Sequence, residues 1–117
     1  VAIAQACAQK LDCVVILSGP TDIITDGTRV VKVLNGTPLF QVHVGSGDML
    51  SSIVAAFCAV TPDTFEAAQT ACLVFAAIGQ RVVQTVPDVG AGSFTVHLLD
   101  ALQSTTVAQI EAVAAYE

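Results

Sequence analysis

Basic residues are scarce in this sequence. Four Lys and Arg stand against ten Asp and Glu, a formal net charge of −6 over 117 residues. No basic patch can be assembled to follow a phosphate backbone, which argues against nucleic acid as a partner. Any phosphate the chain handles must be held by backbone N–H groups, a metal or another segment. Membrane-length runs are lacking too, since the uncharged stretches at residues 49–60 and 67–80 fall short of the roughly 20 apolar residues that span a bilayer. They read as core helices, with no membrane partner. The four cysteines, Cys7, Cys13, Cys58 and Cys72, show no C-x-x-C spacing and no neighbouring His cluster. A zinc site is therefore unsupported, and reduced core thiols in a cytoplasmic protein are expected. The opening VAIAQACAQK has no initiator Met, basic region or cleavage motif and reads as the middle of a helix rather than a signal peptide. The chain is expected to be the C-terminal part of something longer.

What is present suits one domain with a real core, because 54% of residues are hydrophobic and only 12% are charged. Residues 1–10 have helical composition, and CVVIL at 13–17 is the β-branched run of a strand buried on both faces. After SGP, the pairs Asp26-Gly27 and Asn35-Gly36 signal hairpin turns in a stretch expected to be antiparallel. A helix over 48–60 follows, then a second starting from Thr61 as N-cap with Pro62 at its first position and running to about residue 84. Ser93 is expected to cap a short helix, and Thr106 with Gln109 fits a capping box at the last one. The class is α/β, a mixed sheet with hairpin strands followed by packed helices.

Known phosphate fingerprints are missing. G-x-x-x-x-G-K-[ST] is absent, and GSGDML lacks the third glycine of G-x-G-x-x-G. What remains at residues 45–48 is a G-S-G-D turn between a strand and an apolar helix. Asp48 has two readings there. It can serve the free N–H groups and positive dipole end of the helix as a cap. Alternatively, Gly45, Ser46 and Gly47 form an anion nest, with close backbone approach and a positive φ at Gly47, and Asp48 takes a proton at its rim. Two glycines exceed what capping requires, which favours the ligand reading. His43 and His97 have no acidic or cysteine partner at ligand spacing and read as satisfied, partly buried histidines. Asp22 and Asp26 read as turn residues rather than metal ligands. Ser18 lacks the local His of a serine nucleophile, yet it follows a buried strand, and ligands of open α/β sheets bind beyond such strand ends.

With those residues in place, the chain resembles the C-terminal half of the hydroxyethylthiazole kinases, a thiamine-salvage family of the ribokinase-like superfamily. VVILSGPTDIITDG, VLNGTPLF, VGSGDMLSSIVAAFCAV and VGAGSFTVHLLDAL carry the resemblance in the family's order and spacing. It implies that residues 1–117 are the C-terminal portion of one ribokinase-like kinase domain. It further implies phosphorylation of the hydroxyl of 4-methyl-5-(2-hydroxyethyl)thiazole by ATP with Mg²⁺, in a homotrimer whose sites lie between subunits. The absent N-terminal half would supply most of the thiazole pocket, and the metal ligands stay unassigned. Ser18 falls at the hydroxyl position of the family's T-G-x-V-D motif, which contacts ATP. Gly45 falls where a backbone contacts substrate, and Ser46 and Gly47 belong to the anion hole.

Asp48 stands where most members of the family have cysteine and where the wider ribokinase-like group has the aspartate of G-x-G-D as general base. A carboxylate is a better-matched proton acceptor at pH 7 than a neutral thiol. Val44 replaces the usual threonine before the first glycine, and Ala91 replaces the proline of G-P-G-S-F. Two alternatives stay open. An ATP-dependent dehydratase acting on hydrated nicotinamide nucleotides shares the superfamily and a similar glycine turn, and the chain could be a non-catalytic piece completing a shared site.

Overall fold

Helix α1 (Ala2–Leu11) forms from residues of high helix propensity and buries only Ala4 and Ala8, one turn apart on one face. It ends where Asp12 turns left-handed (φ 51°) and donates its N–H to the Ala8 carbonyl. In this computed structural model, which describes residues 1–42 and 44–117, α1 lies against a three-stranded sheet. The reading of His43 falls outside the described residues. Strands β1 (Val15–Leu17), β2 (Asp22–Thr25) and β3 (Val30–Val33) pair in the order β1-β2-β3, and both pairings are antiparallel. The expected hairpin strands followed by packed helices form, but among the described residues the sheet is antiparallel throughout and not mixed. A parallel pairing would need a strand other than these three. β1 is shorter and less buried than its apolar run suggests, with Leu17 48% exposed and the outer edge unpaired among the described residues.

The Asp26-Gly27 turn forms as expected. Asp26 Oδ1 accepts the N–H groups of Thr28 (2.9 Å) and Arg29 (2.7 Å), and Gly27 adopts φ 96° where a Cβ would stand 2.7 Å from Gln9 Cγ. The Thr28 N–H, then the Arg29 guanidinium and N–H, hold the Asp26 carboxyl down at about 2. Arg29 also reaches Asp63 at 2.7 Å and lies over the Phe65 ring, which ties the hairpin to the helix beyond.

Asn35-Gly36 makes no hairpin. Asn35 is buried, and its side chain is fully engaged: Nδ2 donates to Gln80 Oε1 (3.0 Å) and the Val113 carbonyl (2.7 Å), while Oδ1 accepts the Ala115 N–H (2.6 Å). The chain after β3 passes instead through a 3-10 turn (Pro38–Gln41), and the C-terminal segment returns beside β3. Lys32 and Glu117 exchange backbone hydrogen bonds there, and Val33 bridges Tyr116. Asn35 thus brackets a contact made 80 residues away along the chain.

Helix α2 (Ser46–Val60) is the most apolar helix, yet none of its residues is fully buried. Helix α3 (Thr64–Thr85) is the opposite, central and buried on several sides, with the sheet on one side and α2 and helix α4 (Ala91–Ser104) on others. Its N-cap is Asp63, whose Oδ1 accepts the Phe65 (2.9 Å) and Glu66 (3.4 Å) N–H groups, so the expected start at Thr61 moves on. Thr61 closes α2 instead, its N–H on the Phe57 carbonyl. Gly79 of α3 is a packing glycine, because a Cβ there would overlap the Phe40 ring. That ring in turn stacks near Phe75 (4.9 Å) and meets Phe94 edge-on (5.3 Å).

Helix α4 begins three residues earlier than Phe94, with Gly90 as N-cap and the Ser93 hydroxyl accepting the Gly90 N–H at 2.8 Å from inside the first turn. Ala91 is the first residue of α4, a position proline favours and alanine fills at little cost. Helix α5 (Val107–Glu111) carries the expected capping box, Thr106 N–H to Gln109 Oε1 (2.9 Å) and Gln109 N–H to Thr106 Oγ1 (3.2 Å). Among the described residues no helix is long and apolar enough to cross a membrane.

Candidate functional site

A cavity of about 470 Å³ opens where three segments meet. The turn after β1 contributes Ser18, Gly19 and Pro20, with Asp22 from the start of β2. The connection after β3 contributes residues 34–38, Phe40 and Gln41, and the head of α2 contributes Ser46, Gly47 and Leu50. Phe75 and Ala76 of α3 complete the wall.

Local sequence explains this convergence. The turn between β1 and β2 is tight because Pro20 fixes its backbone and the Asp22 carboxylate accepts the Gly19 N–H (3.0 Å). The head of α2 is set by Gly45, which adopts φ 106° as N-cap, and by the Ser46 hydroxyl, which donates to the Phe40 carbonyl at 2.9 Å. Met49 N–H makes the first intrahelical bond, to Gly45, so the N–H groups of Ser46, Gly47 and Asp48 have no acceptor within the helix. Together with the positive dipole end, these groups favour an anion.

Ser18, Ser46 and Gly47 therefore share one cavity. Gly45 and Asp48 do not line it and are its neighbours only along the chain, on either side of Ser46 and Gly47. Asp48 is exposed at the third position of α2, directly after the wall residue Gly47, and the head of the helix has no side-chain cap. The positive φ expected at Gly47 belongs to Gly45 instead, and Gly47 is a helical residue with nothing within 4 Å of an added Cβ. The two glycines thus separate experimentally. Gly45→Val is expected to lose stability by roughly 1–3 kcal/mol through backbone strain. Gly47→Ala should gain up to about 1 kcal/mol of helix stability, and a fall in activity per folded molecule in that variant marks a backbone that a ligand must approach closely. Thermal denaturation and turnover on the same preparations measure both.

Asp22, read from sequence as a turn residue, is the only charged side chain on the cavity wall among the described residues. Burial pushes its carboxyl above the usual carboxylate range, and the Gly19 N–H pulls it back in part. The available signal was Pro20, which marks a turn tight enough to fold Asp22 back against the residue after Ser18. Phe40 and Phe75 carried no such signal, because their roles depend on contacts made across the chain.

Cys72 is the one buried thiol. Burial, and then the Asp22 carboxylate, push it up to about 12, which leaves it neutral and inert. Cys7, Cys13 and Cys58 are exposed and free, so the expectation of core thiols holds only for Cys72. His97 lies half-buried in a separate cleft of about 200 Å³ with Arg81 and Asp100. Among the described residues no three His, Cys, Asp or Glu side chains gather as metal ligands.

Comparison with known proteins places this geometry in context. The model of the hydroxyethylthiazole kinase family matches residues 1–108. A hydroxyethylthiazole kinase of Lactiplantibacillus plantarum is 60% identical over 115 residues, covering 97% of this chain and 44% of the relative. One from Latilactobacillus sakei is 53% identical over 112 residues, covering 95% of this chain and 42% of the relative. The solved hydroxyethylthiazole kinase structure from Pyrococcus horikoshii OT3 superposes with a TM-score of 0.92 at 27% identity, covering 99% of this chain and 44% of that one. The chain spans less than half the length of each of these proteins.

Proposed function

This chain belongs to the hydroxyethylthiazole kinase family, and from that premise we propose that it is the C-terminal portion of a single ribokinase-like kinase domain. The complete enzyme transfers the γ-phosphoryl group of ATP to the hydroxyl of 4-methyl-5-(2-hydroxyethyl)thiazole, in the cytoplasm, as a step of thiamine biosynthesis or salvage. One observation carries the reading beyond family membership. The strand-end residue Ser18 and the head of α2, with Ser46 and Gly47, meet in one cavity, and Asp48 follows Gly47 in the first turn of the same helix.

In this reading Asp48 receives the proton of the attacking hydroxyl. The N–H groups of Ser46 and Gly47 donate to phosphoryl oxygens, Gly45 lets the backbone come close to the substrate, and Ser18 contacts ATP. Phosphoryl transfer passes through a loose transition state, so positioning and charge stabilisation contribute more than the base does. Mg²⁺ arriving with ATP would offset phosphate charge, which a cavity wall without Lys or Arg does not do. Among the described residues no donor set builds a metal site, and phosphate, water and the remainder of the enzyme would supply the ligands of such an ion. That remainder also supplies most of the thiazole pocket, and the assembled enzyme is a trimer with sites between subunits.

A coupled assay on the complete enzyme tests the reading. ADP release should depend on the thiazole alcohol and yield its phosphate ester. ADP release that instead requires hydrated NADH, with return of the nicotinamide absorbance, would assign the dehydratase reaction in its place.

A further inference from the structure

The turn that carries Ser18 is held by a group outside the assigned chemistry. Between β1 and β2 the chain reverses over residues 18–21, and the Gly19 N–H, which belongs to the Ser18–Gly19 peptide, donates to Asp22 Oδ1 at 3.0 Å. That single bond fixes the orientation of the peptide and with it the position of Ser18. Asp22 is itself anchored, because it opens β2 and pairs with the fully buried Val33 of β3. A rigid strand residue thus reaches back to hold an exposed turn residue at the cavity wall.

Holding the carboxylate there is unfavourable. Burial raises its pKa in the fold, so by linkage its ionisation favours the unfolded chain: the stabilising contribution is complete below the ordinary carboxylate pKa and is lost as pH rises through the raised value. At neutral pH the fold keeps a partly desolvated negative charge on the wall of a cavity whose other donors suit an anion. Stability alone does not account for this placement, whereas the need for an acceptor oxygen on the Gly19 N–H does.

We propose that Asp22 is the positioning residue for Ser18, locking the Ser18–Gly19 peptide so that the Ser18 hydroxyl stands ready for the nucleotide phosphates. This rests on the reading of Ser18 as a nucleotide contact. Asp22 touches no reacting atom and acts only through the turn.

A double-mutant cycle on the complete enzyme tests it. Ser18→Ala and Asp22→Ala should each raise the KM for ATP about tenfold, the cost of one hydrogen bond to a charged group, with the KM for the thiazole alcohol unchanged. The Ser18→Ala/Asp22→Ala enzyme should also show a tenfold rise rather than a hundredfold one, because the second change removes nothing further. Asp22→Asn keeps an acceptor oxygen and sheds the unfavourable charge. It should fold at least as well as the parent, and its KM for ATP should stay within about twofold, on the same warrant. Should Asp22→Ala fail to fold, this Asn variant still decides.

Additive effects in the double mutant, or a tenfold KM defect in Asp22→Asn, would overturn the inference, the latter by showing that the charge rather than the acceptor is used. A normal KM in Asp22→Ala beside a defective Ser18→Ala overturns it while leaving the nucleotide role of Ser18 intact. A normal KM in Ser18→Ala removes that role and the inference together.

Discussion

Asp48→Asn in the complete enzyme is expected to lower turnover about 10²-fold or more, the lower end of general-base contributions, while the KM for ATP is nearly unchanged. Asn has almost the same size and can still meet the N–H groups at the head of α2, so the substitution removes the proton acceptor and little else. The structural role left to the acid is small. It stands in the first turn of α2 without forming a side-chain cap, and an exposed carboxylate near a helix N-terminus contributes about 0.3–1 kcal/mol through the dipole. The melting temperature should therefore shift by only a few degrees. Equal losses in kcat and kcat/KM would mark an interaction made only in the transition state. Wild-type turnover in a normally folded variant would reduce Asp48 to a dipole partner and leave the site without a base from this chain.

Where the sequence could be read, the deciding interactions are local. The G-S-G-D turn heads a helix because a glycine can take φ 106° immediately before an apolar run. Thr106 and Gln109 are three residues apart and bond each other, and Asp26 captures the two N–H groups that follow Gly27. Asn35-Gly36 carries the same local signal as Asp26-Gly27 and behaves differently. Its side chain bonds Gln80 on α3 and the returning C-terminal segment, partners that no short window contains. The start of α3 differs from the sequence expectation for a related reason. Thr61 and Pro62 look like a helix start, but Asp63 is both an N-cap and the partner of Arg29 from the hairpin.

The candidate site divides in the same way. Ser18, Ser46, Gly47 and Asp48 stand at a strand end and a helix head, places where residue type alone suggests a ligand. That Ser18 and the head of α2 share one cavity follows from α3 packing against both the sheet and α2, which is tertiary information. Asp22 is not legible as a wall residue, because an aspartate beside a proline turn has an adequate local explanation. Only its position on the cavity wall shows what else the carboxylate faces.

Expressed by themselves, residues 1–117 are expected to show no phosphorylation of the thiazole alcohol and to associate in solution, with activity returning only when the remaining half of the enzyme is supplied. The surfaces require this. β1 keeps an unpaired edge among the described residues, and its sequence is that of a strand with neighbours on both sides. Along α2, an apolar helix with no buried residue, Val60 is 78% exposed, and on α1 Ile3 is 84% exposed. Apolar surface left uncovered on that scale drives association, and the matched relatives are more than twice as long as this chain. Among the described residues the cavity offers N–H donors, one carboxylate and no cation, which is too little to hold a triphosphate against its own charge. Light scattering on the purified segment, and ADP release before and after adding the separately expressed N-terminal half, measure the two parts of this expectation. A soluble monomer that phosphorylates the thiazole alcohol unaided would refute the dependence on the other half and with it the shared-site architecture.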